Sequence, residues 1–225
     1  MIKAILFDAY GTLISTGNGS LEAARKILAL NHRTDISPSE FYAEWKLLHK
    51  RNIETIPSFL NKEEVIFGMD LNELYSHYHM SRNPNEDVKI MLETLGKRRL
   101  FPETKEVIEK LKHDFVIAIA STTDTEPLLQ DLSRNELTIP YVFTSESLQV
   151  YKPHASFYQS ILSKLQISAE EALFVGDSLI DDVWGPQQLG MLTCWLNRKN
   201  NLRQEVSPSF EISDLNQLGD IAYNL

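Results

Sequence analysis

Four short segments carry side chains that could do chemistry together. Asp8 follows the apolar run 3–7 and opens the turn Ala9-Tyr10-Gly11-Thr12. A carboxylate at a strand end can act as a nucleophile or a metal ligand, or simply cap the turn. Ser121-Thr122-Thr123-Asp124 follows the apolar run 115–120. Hydroxyls and free backbone N–H groups at a helix start can hold an anion, although Ser, Thr and Asp also serve as plain N-caps. Tyr151-Lys152-Pro153 precedes a helical pattern. A lysine there opposes the positive end of the helix, so an anion should lie nearby; a solvated surface lysine is the alternative. Gly176-Asp177-Ser178-Leu179-Ile180-Asp181-Asp182 follows residues 172–175 and brings three carboxylates to one strand end. Hard oxygen donors of this kind suit Mg²⁺. The helix dipole would account for Asp181 and Asp182, but less well for Asp177.

The elements that must position these residues alternate in type. Residues 3–7, 115–120, 172–175 and 192–196 are short apolar runs suited to buried parallel strands. Between them, 103–113 places Val107, Ile108 and Leu111 on one helical face, and 153–166 does the same with Phe157, Ile161, Leu162 and Leu165. Ser168-Ala169-Glu170-Glu171 has the form of a capping box. Strands alternating with helices imply an α/β fold. We expect a Rossmann-like parallel sheet with helices on both faces, where ligands bind beyond the carboxyl ends of the strands.

Residues 16–95 lack a convincing buried strand. Helical patterns fall at 21–30, from Ser37-Pro38-Ser39-Glu40 to about Lys50, at 62–79 and at 86–96. The expected organisation is an α/β core of 1–15 and 96–225 with an all-helical insert, 16–95, after the first strand. Tyr42, Trp45 and His49 share a helix face, and packing within the insert is favoured over pocket lining. His77 and His79 face different directions and receive no metal role.

Composition narrows the partners. The 225 residues suffice for one or two domains. Lys plus Arg number 22 against 31 Asp plus Glu, a formal charge of −9, which disfavours nucleic acid or an anionic membrane as partner. A phosphorylated small molecule stays compatible, because a few local cations can hold it. The one cysteine, Cys194, excludes an intrachain disulfide and CxxC metal sites. The apolar start is cut off by Asp8 too early for a signal peptide, and the run 115–120 is far below the ~20 residues of a membrane helix. A soluble, cytoplasmic protein is expected.

Taken in order, four segments resemble the haloacid dehalogenase superfamily of hydrolases. They are Phe7-Asp8-Ala9-Tyr10-Gly11-Thr12-Leu13, Ala120-Ser121-Thr122, Tyr151-Lys152-Pro153 and Phe174-Val175-Gly176-Asp177-Ser178-Leu179-Ile180-Asp181-Asp182-Val183-Trp184-Gly185. The resemblance spans nearly the whole chain, and the insert resembles the family's first-type helical cap. It implies that Asp8 attacks the substrate and forms a covalent aspartyl intermediate. Ser121 and Lys152, with Thr12 and Thr122, would hold the substrate's phosphoryl oxygens. Asp8, Asp177 and the backbone carbonyl of Tyr10 would bind Mg²⁺, and Asp182, in preference to Asp181, would serve the metal through water. The cap would close over the site, with hinges near 15–19 and Gly96.

One departure matters. The superfamily's phosphatases carry an aspartate acid/base two residues after the nucleophile, where this chain has Tyr10. A tyrosine of pKa ~10 is a poor proton shuttle at neutral pH. Asp8-Ala9-Tyr10-Gly11-Thr12-Leu13 looks like the superfamily's 2-haloacid dehalogenases, which displace halide and need no acid. The other segments point away from them. Those enzymes resemble Val-Ser-Ser-Asn where this chain has Val175-Gly176-Asp177-Ser178, carry Asn where it has Thr122, and use no metal. Two bare carboxylates, Asp8 and Asp177, would repel without a cation between them. The expectation is therefore a Mg²⁺-dependent phosphatase of a small phosphomonoester. The alternatives are a metal-free 2-haloacid dehalogenase and a degenerate hydrolase acting as a binding protein. Joint retention of Asp8, Ser121, Lys152 and Asp177 argues against the last.

Overall fold

The computed structural model describes residues 1–55, 62–202 and 205–225. Its main elements in chain order are β1 (Ala4–Phe7), β2 (Ile14–Ser15), α1 (Gly19–Leu30), α2 (Pro38–Thr55), α3 (Glu63–His77), α4 (Pro84–Leu92), β3 (Arg99–Leu100), α5 (Thr104–Leu111), β4 (Val116–Ser121), α6 (Thr125–Arg134), β5 (Tyr141–Thr144), α7 (Ser145–Leu148), α8 (Ala155–Leu165), β6 (Ala172–Gly176), β7 (Leu192–Leu196) and β8 (Phe210–Ile212). Contacts divide the chain into two compact units. One comprises Met1–Ser15, Arg99–Thr125 and Leu132–Leu225; the other comprises Thr16–Arg98 and Glu126–Asp131.

The first unit holds a six-stranded sheet in the order β5-β4-β1-β6-β7-β8, parallel throughout. The four expected apolar runs supply its four inner strands, β4, β1, β6 and β7. All four residues of β1 are fully buried, as a central strand covered on both faces requires. Ala4 and Leu6 pack with Ala118, Phe174 and the α8 residues Phe157, Tyr158, Ile161 and Leu162. Ile5 and Phe7 alternate to the other face and are equally buried. From β1 the chain builds outward to β4 and β5, then returns to build β6, β7 and β8 on the other side. That reversal puts the topological switch point between β1 and β6, and open α/β sheets bind ligands beyond the carboxyl ends of the strands at such a point.

The edge strands β5 and β8 carried no sequence signal. Tyr141 is exposed and Val142 half-buried, so the apolar content of β5 is divided, and β8 has only three residues. The Ser168 capping box forms around a single 3₁₀ turn, Ala169–Glu171.

The second unit contains α1 to α4 and, among its described residues, no strand. Ala24, Ile27, Phe41, Trp45, Leu71 and Leu74 form its core. Trp45 is buried and meets Phe41 and Phe67 edge-on at 6.1 and 5.9 Å, so the aromatic face of α2 is packing. α2 continues past Lys50 to Thr55, and Asn52 in its last turn donates to Asp70 Oδ1 at 2.8 Å. α4 begins at Pro84, behind an Asn83 cap that accepts from Asn85 N, and stops at Leu92 rather than Gly96. Among the described residues no helix is long and apolar enough to cross a membrane.

Candidate active site

Asp8 follows β1 directly, and its N–H donates to Val175 O of β6 at 2.9 Å. The next turn folds on itself: Leu13 N and Ile14 N donate to Ala9 O at 2.9 and 2.8 Å, and Gly11 N donates to Ile14 O at 2.8 Å. Gly11 has φ +95° and lies against the Asp177 carboxylate, where a Cβ would fall 2.3 Å from Oδ2. Only glycine combines that φ with that approach.

Asp177 follows β6. Ser178 then caps a π-helical turn, Leu179–Trp184, accepting from Asp181 N at 3.1 Å. Such wide turns recur at functional sites. Here the turn directs Asp182 inward, against Gly176, where a Cβ would fall 2.2 Å from the carboxylate. Asp182 is buried, and its Oδ2 accepts from Ser178 N at 2.9 Å. Asp181 stays partly exposed and accepts from Ser178 Oγ at 3.2 Å.

Lys152, buried just before α8, joins the two loops. Its Nζ lies 2.8 Å from Asp8 Oδ1 and 2.7 Å from Asp182 Oδ1. Ser121, the last residue of β4, donates from Oγ to Asp8 Oδ1 at 3.3 Å. Two donors on one oxygen lock the rotation of the Asp8 carboxylate. One carboxylate oxygen from each of Asp8, Asp177 and Asp182 lies within 4.8 Å of the other two.

The electrostatics follow from this crowding. Burial alone would lower the Lys152 ammonium, but Asp182 and Asp8 outweigh it and hold its pKa well above 10.5. Burial raises the Asp182 carboxyl, Lys152 counteracts, and Asp8 and Asp177 push it up further. Asp177 is exposed as a residue, yet its carboxylate lies against Gly11. Shielding from water, then the charge of Asp8, raise its pKa to about 6. Three oxygen-donor carboxylates converging with one lysine form a centre that fits a hard divalent cation.

Of the residues singled out from the sequence, the structure gathers Asp8, Ser121, Lys152, Asp177 and Asp182. Tyr10 sits half-buried in the turn beside Asp8 and pairs through its backbone with Ile14. Thr12 is fully buried, and its carbonyl accepts from Arg198 Nη2 at 3.0 Å. Among the described residues, the buried hydroxyls of Thr12 and Thr122 have no hydrogen-bond partner.

Three residues around the site escaped the sequence reading. Tyr158 donates its hydroxyl to Asp181 O, and Gly185 leaves room for that hydroxyl. Trp195 donates from Nε1 to Asp177 O at 3.0 Å. Tyr158 and Trp195 lie within apolar stretches that read as core, and Arg198 reads as an ordinary surface cation.

A family model described as a haloacid dehalogenase-like hydrolase matches residues 2–190. The ribulose-1,5-bisphosphate 5-phosphatase of Halopiger xanaduensis is 35% identical over 205 residues, covering 86% of this chain and 84% of its own. The (S)-2-haloacid dehalogenase 4A of Burkholderia cepacia is 24% identical over 223 residues, 95% of this chain and 89% of its own. Among solved structures, the magnesium-bound HAD-hydrolase YfnB of Bacillus subtilis matches with a TM-score of 0.84 at 20% identity, over 99% of both chains. That likeness is one of fold. With the family model matched from β1 through the second aspartate loop, this chain belongs to the haloacid dehalogenase-like hydrolases.

Proposed function

We propose that the protein is a Mg²⁺-dependent phosphatase acting on a small phosphomonoester through an aspartyl-phosphate. One observation carries the reading: three carboxylates share a space within 4.8 Å, and Lys152 forms ion pairs with two of them. Asp177 is left facing Asp8 as a like charge, and a cation held by Asp8, Asp177 and the Tyr10 carbonyl would relieve that repulsion. A divalent cation there would also offset the charge between a carboxylate nucleophile and a phosphate dianion.

The chain's own residues then divide the work. Asp8 attacks phosphorus, and the P–O bond to the leaving group breaks. Lys152 and Ser121 orient Asp8 and hold the phosphoryl oxygens, with the buried hydroxyls of Thr12 and Thr122 as further donors. Asp182 orients Lys152. Water then attacks phosphorus and gives up a proton to solvent, the bond between Asp8 and phosphorus breaks, and inorganic phosphate leaves with Asp8 restored as a carboxylate. The four-helix segment Thr16–Arg98 of the second unit is assigned the part of cap, selecting the substrate.

The metal assignment is tested by calorimetry. A proton on Asp177 competes with the cation, so Mg²⁺ affinity should fall as pH drops through about 6. The same shift governs stability. A carboxyl raised from 3.8 to about 6 binds protons more tightly when folded, so the metal-free protein should lose stability as pH rises across that interval. Added Mg²⁺ should reverse the trend. Asp177→Ala should weaken Mg²⁺ binding by about tenfold or more. Unchanged affinity in that variant would remove Asp177 from the metal site.

Tyr10 favours a second reading, metal-free halide displacement from a 2-haloacid, since that reaction needs no proton donor. Tyr10→Asp separates the two. In a phosphatase it places an acid where a leaving alkoxide needs a proton, worth ~10²–10⁴-fold at best. Alkyl phosphates, with basic leaving groups, should gain far more than aryl phosphates. A flat alkyl-to-aryl rate ratio in a folded variant would show that proton donation at position 10 does not limit this enzyme.

A further inference from the structure

We infer that Arg198 is a positioning residue that fixes the turn after Asp8. Its structural part stands on contacts alone; its consequence for the cation rests on the function proposed above.

The bonds inside the 9–14 turn are local and set its shape, not its place. Place matters, because Gly11 lies against the Asp177 carboxylate so closely that no Cβ fits. The far end of the turn is held from outside. Phe101 N and Thr104 Oγ1 donate to Leu13 O at 3.0 and 2.9 Å. Arg198 Nη2 donates to Thr12 O at 3.0 Å. Arg198 lies two residues beyond β7, the strand whose Trp195 donates to Asp177 O at 3.0 Å. One short stretch, Trp195 to Arg198, therefore grips both loops that carry the carboxylates.

Arg198 is itself held in place. Its guanidinium lies 3.8 Å from the centre of the Phe101 ring, and Nη2 is 2.6 Å from Glu103 Oε1. Both partners of that pair are largely buried, at 18% and 10% side-chain exposure. Stability is a poor explanation for the arrangement. Buried ion pairs often fail to repay their desolvation. Glu103 Oε1 is close but off-line for a hydrogen bond, and Arg198 Nε is buried with no acceptor among the described residues, which costs further. What the arrangement supplies is a rigid, stacked donor aimed at one backbone carbonyl.

The test uses the full chain in two forms, Arg198→Lys and the double variant Arg198→Met with Glu103→Gln. The second leaves no unpaired charge buried. Amide hydrogen exchange is read at residues 9–14 and in β4. In both variants exchange at 9–14 should rise by about tenfold or more while β4 stays protected. Mg²⁺ binding by calorimetry should weaken by about 10–100-fold, as when the support of a metal ligand is lost. Turnover should fall through kcat more than KM. Exchange at 9–14 within about twofold of the parent in either folded variant would overturn the inference. A parent chain that binds no Mg²⁺ would instead sink the metal reading, while the exchange data would still decide the role of Arg198.

Discussion

Asp8→Asn is expected to abolish turnover while leaving the fold intact. The amide is nearly isosteric, and its oxygen can still accept from Lys152 and Ser121, whose bonds to Asp8 Oδ1 are 2.8 and 3.3 Å. Lys152 also keeps Asp182 as its second partner, at 2.7 Å, so no charge is stranded. What disappears is the nucleophile. Loss of a covalent nucleophile in a hydrolase typically costs ~10⁴–10⁶-fold in kcat, and an amide is also a poorer ligand for a hard cation. Phosphate release and thermal unfolding of the purified variant check both halves of the expectation. Turnover within a few-fold of the parent would exclude Asp8 as the nucleophile.

Lys152→Met should cost stability as well as rate. Met follows the lysine stem but carries no charge, and it leaves Asp8 and Asp182 facing Asp177 with no ammonium among them. Breaking a buried pair by removing one partner costs about 3–5 kcal/mol. The loss should shrink as pH falls, because the crowded carboxylates then take up protons, and it should shrink when Mg²⁺ is added, because a cation bound only by the folded state stabilises it. Urea unfolding at two pH values, with and without Mg²⁺, reads all three effects. A midpoint that does not move in Lys152→Met would show that these ion pairs contribute nothing net. In the parent, Lys152 stays charged over any practical assay range, since its pKa is held well above 10.5.

The legible parts of the fold were those where burial leaves a continuous trace. β1, β4, β6 and β7 lie inside a parallel sheet, so each is a plain apolar run. β5 and β8 lie at the edges, where half the side chains meet solvent and the run dissolves. The helices of the second unit were legible in number and, for α1 and α3, in extent, but α2 runs longer and α4 stops earlier than their patterns suggest. α2 is prolonged by Asn52 bonding across to Asp70, a tertiary effect with no local signature. In the site, the charged and hydroxyl residues stood out because each follows an apolar run. Which of two neighbouring aspartates turns inward did not follow from periodicity. The π-helical turn changes the side-chain direction by one position, and it sends Asp182 to Lys152. Tyr158, Trp195 and Arg198 were hidden for the opposite reason. Each looks like what a core or a surface needs anyway, and only contact with a loop backbone gives it a further part.

The central claim is that this site uses a cation to let a carboxylate attack phosphate. The most direct measurement compares two releases from one preparation, with and without Mg²⁺: phosphate from an aryl phosphomonoester, and halide from 2-chloropropionate. An aryl leaving group departs with little protonation, so Tyr10 does not mask the activity. We predict phosphate release that requires Mg²⁺ and is lost on chelation, with no halide release. Halide release that is indifferent to chelation, with no phosphate release under either condition, would contradict the account.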